Sequence, residues 1–203
     1  MKIDKIGKWK ISILERGEFW LDGGAMMGSV PKVLWENENP PDEFNRIELS
    51  MRCLLVDDGE NVVMIETGIG DKNSDKFIKM FSIDHSTHTL SNTLSNHGYY
   101  YKDITHVILT HLHFDHAGGA LYYDEGVLKP RFPNAKYYIS KRNWLAAIMP
   151  NSRDRASYLS LNYQLLKDNN LLNFIADDSE ILKGISTYTV NGHTKGQQLI
   201  KVS

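Results

Sequence analysis

Four residues with metal-ligand chemistry fall within six consecutive positions: His111, His113, Asp115 and His116, in the run Thr110-His111-Leu112-His113-Phe114-Asp115-His116-Ala117-Gly118-Gly119. Imidazole nitrogen and carboxylate oxygen are the donors that zinc and other borderline divalent metals take in catalytic sites. On an extended segment, positions two apart project to the same side, so His111 and His113 can reach one metal together. Asp115 and His116 follow where the small, flexible Ala117-Gly118-Gly119 lets the chain turn. They are expected to point at a second spot close to the first. The spacing therefore permits two metals, each incompletely liganded by this run. A lone histidine is ordinarily a surface or satisfied core residue. Four ligand-type residues between an apolar strand and a Gly-Gly turn are not explained that way.

Those residues need a strand to deliver them. Ile104–Leu109 is mostly apolar and leads directly into the cluster, and α/β sites form where strands end. Upstream, Lys8–Leu14 alternates as a strand, and Gly17 and Gly23-Gly24 mark turns around a second short strand at Phe19–Asp22. Asn37–Asp42, with Pro40-Pro41, reads as a loop. Arg46–Val56 is extended, Asp57-Asp58-Gly59 turns the chain, and Asn61–Ile65 returns as its hairpin partner. Thr67-Gly68-Ile69-Gly70 is a loop. Helical spacing is expected over Ser74–Phe81 and Thr87–Asn96, with His97-Gly98 as a stop. Downstream, Lys136–Ile139 is a strand, Lys141–Ile148 a helix capped by Ser140, and Asp154–Lys167 a helix with Tyr158, Leu161 and Leu165 on one side. Thr187–Val190 and Gln198–Val202 are strands. The alternation fits an α/β layered domain.

Composition narrows the function. The 203 residues carry a formal net charge of -2 and are 41% hydrophobic, which fits one domain, residues 1–203, able to bury a core. There is no electrostatic footprint for nucleic acid. No apolar run of membrane-spanning length occurs, and no continuous apolar core follows the charged N-terminus, so neither a membrane segment nor a signal peptide is expected. Cys53 is the single cysteine. Its apolar surroundings read as a buried hydrophobe rather than a nucleophile, and a reducing cytoplasm is the expected location.

His111-x-His113-x-Asp115-His116 resembles the signature of the metallo-β-lactamase superfamily. Glu66-Thr67-Gly68 is similar to that family's Asp-Thr-Gly loop. Gly192-His193-Thr194-Lys195-Gly196 is similar to its Gly-His-Thr-Pro-Gly loop, and the order and spacing match. Thr110–Gly119 is most similar to the quorum-quenching lactonase and organophosphate-hydrolase branch, with weaker support from Phe114 and Asp22–Met26. The resemblance spans most of the chain and is more specific for the superfamily than for a substrate.

The resemblance implies an αββα sandwich in which His111, His113 and His193 bind one metal while Asp115 and His116 begin a second site. It implies zinc, two ions per complete site, with iron or manganese as alternatives. Three neutral imidazoles suffice for catalytic zinc with water in the open position, and metal-bound hydroxide would be the nucleophile. The second metal would polarise the scissile carbonyl. Asp115 would be the catalytic carboxylate, orienting the nucleophile or carrying a proton to the leaving group. The implied substrate is a small ester, lactone or related carbonyl compound, and the implied assembly a homodimer. Competing readings are an iron-dependent or phosphodiester-cleaving member of the same fold, and a non-catalytic metal-binding domain; the near-neutral charge argues against RNA.

Three departures from the family pattern stand out. Glu66 replaces aspartate and is expected to orient a ligand rather than to bind metal. Lys195 replaces proline, with a local effect. The family also places a bridging aspartate, a final histidine and, in the lactonase branch, a tyrosine beyond the Gly-His-Thr loop. The sequence reaches Ser203 before any of them, so the expectation is a domain lacking the C-terminal part of its second half. Other features carry less weight. His85 and His88 read as surface or rim residues, His97 as helix-terminal and His106 as strand-facing. Met26-Met27, Val30, Val33, Leu34 and Trp35 suit an apolar pocket or the core equally. Tyr99-Tyr100-Tyr101 reads as a packing edge.

Overall fold

Alternating apolar residues build the main sheet. In the computed structural model, which describes residues 4–84, 86 and 88–203, β1 (Lys5–Ile6), β2 (Trp9–Asp22), β3 (Arg46–Asp57) and β4 (Val62–Ile65) are antiparallel neighbours. Strand β5 (His106–Ile108) joins β4 in parallel. A separate hairpin comes next, β6 (Leu121–Asp124) and β7 (Val127–Pro130), before β8 (Lys136–Ser140) and β9 (Leu172–Ile175) extend the sheet in parallel. The order is β1-β2-β3-β4-β5-β8-β9. A second, antiparallel sheet holds β10 (Glu180–Leu182), β11 (Ile185–Val190) and β12 (Gln197–Val202). The helices are α1 (Gly23–Met27), α2 (Lys32–Trp35), α3 (Asp75–Phe81), α4 (Leu90–Asn96), α5 (Phe114–Ala117), α6 (Lys141–Ile148) and α7 (Gln164–Asp168).

The main sheet has an apolar layer on each face. Trp9, Ile11, Val56, Val63, Ile65 and Ile108 pack against Ile185 of the second sheet. On the opposite face Leu14, Cys53, Leu55, Met64 and Val107 meet Leu90 and Leu94 of α4, Trp144 and Ala147 of α6 and Leu166 of α7. A seven-residue helix such as α4 is marginal alone. Burying two leucines, at roughly 1.5–3 kcal/mol each, is what holds it in place. The layers are therefore helices, main sheet, second sheet, three of the four expected for αββα. On the far side of the second sheet, Tyr188 and Leu199 face each other across β11 and β12 and are exposed.

Several local expectations change. The two strands expected on either side of Gly17 are one strand, β2, with a bulge between Glu15 and Glu18. The extra residue flips the side-chain parity, so Leu14, Arg16 and Phe19 are all buried despite their odd spacing. Gly17 sits at φ 84°, where a Cβ would stand 2.8 Å from the Asp84 carbonyl oxygen. Gly23-Gly24 opens α1 instead of a turn, with Asp22 accepting from the Ala25 N–H. Helix α4 starts at Leu90, capped by Thr89; His85 and Thr87 lie outside the described residues. Ser74 and Ser140 cap α3 and α6.

The helix expected over Asp154–Lys167 is broken into two 3-10 turns, Arg155–Ser157 and Ser160–Asn162, followed by α7. Tyr158 is extended between them and bridges to His113. Leu161 is exposed. A tertiary contact of Tyr158 has overridden a helical spacing. Strands β6, β7, β9 and β10 have no counterpart among the elements expected from sequence. Cys53 is buried, and burial pushes its thiol up to about 12, so it behaves as a small hydrophobe.

Candidate metal centre

Strand β5 carries the chain to its C-terminal end, where two bonds anchor Thr110 on either side of its peptide. The Thr110 N–H donates to Glu66 Oε1 (3.0 Å), and the Gln198 N–H donates to the Thr110 carbonyl (3.0 Å). His111 and His113 are buried, with Leu112 between them in the helix-side core. From His113 the chain enters the single turn α5, where the His116 and Ala117 N–H groups donate back to the His113 carbonyl at 3.1 and 2.9 Å.

Asp115 and His116 therefore project from a helical turn and not from a flexible loop. The reason lies in Gly118 and Gly119, both buried. A Cβ on Gly118 would stand 2.1 Å from the Ile69 carbonyl oxygen, and one on Gly119 2.1 Å from that of Thr67. The glycines allow two backbones to touch. Thr67 donates to the His116 carbonyl through its N–H (2.9 Å) and its hydroxyl (2.8 Å), and the Gly119 N–H donates to the Gly68 carbonyl (2.9 Å). The Thr67–Gly70 loop is thereby fastened to the ligand-bearing turn.

His193 arrives from the loop between β11 and β12. His113 Nδ1 and His193 Nε2 lie 3.1 Å apart, and donor atoms of His111, His113 and His193 all fall within 4.8 Å of one another. Two nitrogens on a tetrahedral zinc, each at about 2.0–2.1 Å, are separated by roughly 3.3–3.4 Å. His111 Nδ1 lies 2.9 Å from the Thr110 hydroxyl, while its Nε2 is buried with no hydrogen-bond partner. Burial and the neighbouring imidazoles push His111 far down. Burial brings His113 to about 4, and burial also lowers His193. All three rings are neutral at neutral pH, the state a cation requires. The donor set fits zinc.

A second group lies beside it. Glu66 Oε2 is 3.2 Å from His116 Nδ1, and Asp115 Oδ2 is 3.2 Å from His116 Nε2. Burial opposes charge on His116, but the Glu66 and Asp115 carboxylates outweigh it and raise the imidazole well above its ordinary value. Burial likewise pushes the Asp115 carboxyl up, and the bond and charge of His116 pull it below its ordinary value. Donor atoms of Glu66, His111 and His116 also converge within 4.8 Å, whereas Asp115 belongs to neither convergent group. Each nitrogen of the His116 ring thus faces one carboxylate, Nδ1 that of Glu66 and Nε2 that of Asp115. Glu66 holds φ 69°, an uncommon conformation for a side chain of its size.

Of the other histidines, His88 is exposed, His97 caps α4 with Nδ1 2.9 Å from the Thr93 carbonyl, and His106 stacks on Tyr138. None of these three joins the centre. A cavity of about 290 Å³ opens over His113, Asp115, His116 and His193. Leu21, Ala25, Met26 and Phe114 make an apolar wall, and Arg153, Asp154 and Ser157 a polar one. Met26 thus lines the cleft, Trp35 is core, and Val30, Val33 and Leu34 are exposed.

Sequence reasoning missed Asn143, Tyr158 and the Arg153–Ser157 wall. The signal for Asn143 was a polar residue beside Trp144 and Ala147 on the buried face of α6.

Comparison with known proteins places this geometry. Residues 49–202 match the metallo-beta-lactamase superfamily. An N-acyl homoserine lactonase of Bacillus cereus is 25% identical over 173 residues, covering 78% of this chain and 60% of that protein. A probable metal-dependent hydrolase from Staphylococcus aureus superposes with a TM-score of 0.87 at 33% identity, covering 98% of this chain and 70% of its counterpart. The dizinc quorum-quenching lactonase AidC superposes at 0.73 with 24% identity, over 98% of this chain and 69% of that one, a likeness of fold alone. The chain spans about 60% of the length of the curated relatives it matches.

Proposed function

We propose that this chain, which belongs to the metallo-β-lactamase superfamily, is the ligand-bearing core of a divalent-metal hydrolase acting on a small ester, lactone or related carbonyl compound. The observation that carries the reading is the convergence of His111, His113 and His193, neutral and with a buried, unpartnered Nε2 on His111. Zinc is the metal this donor set suits, and two ions per complete site follow from the adjacent Asp115–His116 pair. A bound divalent metal would supply Lewis acidity and bring water to ionisation near neutral pH.

The chain's own residues supply the rest. His111, His113 and His193 hold the first ion, and His116 with Asp115 opens the second site, His116 being oriented by Glu66. The Asp115 carboxylate is held ionised beside the cleft. As water oxygen bonds to the carbonyl carbon and the C–O bond breaks, Asp115 would take the water proton and return it to the leaving oxygen. Leu21, Met26 and Phe114 offer an apolar wall to an acyl group. The donors completing the second site are proposed to lie in the remainder of one metallo-β-lactamase-like domain to which residues 1–203 belong. A small-molecule substrate, cytoplasmic residence and a homodimer belong to the same reading. No helix among the described residues is long and apolar enough to cross a membrane.

Elemental analysis of the chain and of His113→Ala tests this reading. Structural zinc sites contribute roughly 10 kcal/mol or more, so losing one donor of three should weaken binding at least about 100-fold. The variant is expected to emerge without stoichiometric metal. Equal metal content in the two proteins would sink the assignment.

A further inference from the structure

We infer that Asn143 is a positioning residue that locks the His193 loop to the His111-Leu112-His113 segment and so fixes the spacing of the three imidazoles. The inference rests on the metal-centre reading above. The ligands arrive on two segments distant in sequence, and no strand pairing joins His193 itself to the histidines after β5. Asn143, fully buried near the start of α6, spans them. Its Oδ1 accepts from the Leu112 N–H at 2.9 Å, the peptide between the two ligand histidines. Its Nδ2 donates to the Lys195 carbonyl at 3.0 Å, two residues past His193, and reaches the Tyr158 hydroxyl at 3.5 Å.

The amide is the side chain this position needs. Leu112 presents a donor and Lys195 an acceptor, so one compact group must offer both an acceptor and a donor. That requirement also fixes which end of the amide faces which partner. Aspartate keeps the acceptor and lacks the donor; leucine lacks both, leaving buried backbone groups unsatisfied.

Ser140 holds Asn143 in place, its hydroxyl accepting from the Arg142 and Asn143 N–H groups at 3.1 and 3.3 Å. The His193 loop sits directly on this helix start: a Cβ on Gly196 would stand 2.6 Å from Asn143 N. Tyr158 adds a second link. Its hydroxyl bonds the Thr194 hydroxyl, its backbone bridges to His113, and its ring packs edge-on against the His113 ring with centroids 4.7 Å apart.

Cobalt(II) titration of the 203-residue chain, with affinity from chelator competition and geometry from the visible d–d bands, tests the clamp. Asn143→Asp is expected to bind cobalt about 10- to 100-fold more weakly, the range for loss of a partner behind the ligands, with altered bands. An added negative charge alone would raise affinity for a cation, so a fall isolates the geometric link. Tyr158→Phe should lose affinity in the same direction by a smaller factor. Ala147→Gly, which loosens α6 away from the clamp, should lower the melting temperature and leave affinity and spectrum unchanged.

Wild-type binding and spectrum in Asn143→Asp would overturn the clamp. Should that variant not fold, wild-type binding and spectrum in Asn143→Ser would do so. An equal loss in Ala147→Gly would also overturn it, since general loosening of α6 would then explain both. If the unaltered chain takes up no cobalt, the metal-centre reading itself fails and the clamp falls with it.

Discussion

The two donor groups at the cleft are built on opposite electrostatic plans. His111, His113 and His193 form a set of neutral imidazoles without a carboxylate, assembled from two distant segments and crosslinked through Asn143. Glu66, Asp115 and His116 form a carboxylate–imidazole–carboxylate sandwich on a loop and a helical turn that touch. In the first group burial lowers the imidazoles, which favours the neutral state a cation would require. In the second, two carboxylates retain a proton on His116. The contrast teaches that one constellation is shaped by desolvation and bridging, the other by mutual charge.

The largest effect on this contrast is expected from Gly118→Ala. The added carbon collides with backbone at Ile69, which has no rotamer to yield. Overpacking of this kind costs roughly 3 kcal/mol. The melting temperature should fall by about 6–12 °C. The Glu66–His116 contact should open while the histidine triad, tied through Asn143, still binds cobalt. Loss of cobalt binding in a folded variant would show that the two groups are one mechanical unit.

Glu66→Gln probes charge alone. Removing one of the carboxylates that raise His116 should lower its titration midpoint, followed by NMR of the imidazole protons in the metal-free protein. His111, His113 and His193, lowered first by burial and only secondarily by His116, should shift less than His116 itself. If they moved as far as His116, the electrostatic separation of the two groups would be wrong.

The smallest effect separates acid loss of metal from acid unfolding. In the β3–β4 turn Asp58 accepts from Lys8 Nζ at 2.5 Å and from the Asn61 and Glu60 N–H groups at 2.7 and 3.1 Å. Burial pushes its carboxyl up, yet these bonds outweigh it and hold it at about 2. A carboxyl depressed by folding stabilises fully above its unfolded value of about 3.9, and that contribution disappears as pH falls toward its folded value. Asp58→Asn should therefore flatten acid unfolding between about pH 4 and pH 2. Near neutrality it should cost up to about 1 kcal/mol, with cobalt affinity unchanged. An acid transition identical to wild type would remove Asp58 from the account.

Legibility in the sequence divides by distance along the chain. His111, His113, Asp115 and His116 were legible because strand period and ligand spacing act within six positions. The cap at Ser140 was legible for the same reason, and His193 came only through resemblance. Asn143 and Tyr158 act across 31 and 36 positions, where no local pattern reports a partner. Tyr158, Leu161 and Leu165 have helical spacing, but the bonds of Tyr158 to Thr194 and His113 outweigh that weak preference. Around Gly17 one inserted residue imitates a break between strands. The β6–β7 hairpin was legible and overlooked: Glu125-Gly126, both at positive φ, is a two-residue turn between short strands.

The glycine pair behind the ligand turn sets limits on how this scaffold can diversify. At Gly118 and Gly119 any side chain would meet backbone at 2.1 Å, so change behind the turn that bears Asp115 and His116 is costly. The cleft-lining side chains of Leu21, Ala25, Met26, Arg153 and Ser157 are not glycines pressed against backbone. On the proposed function, changes in those side chains would reshape the cleft while leaving the backbone that carries Asp115 and His116 as it is.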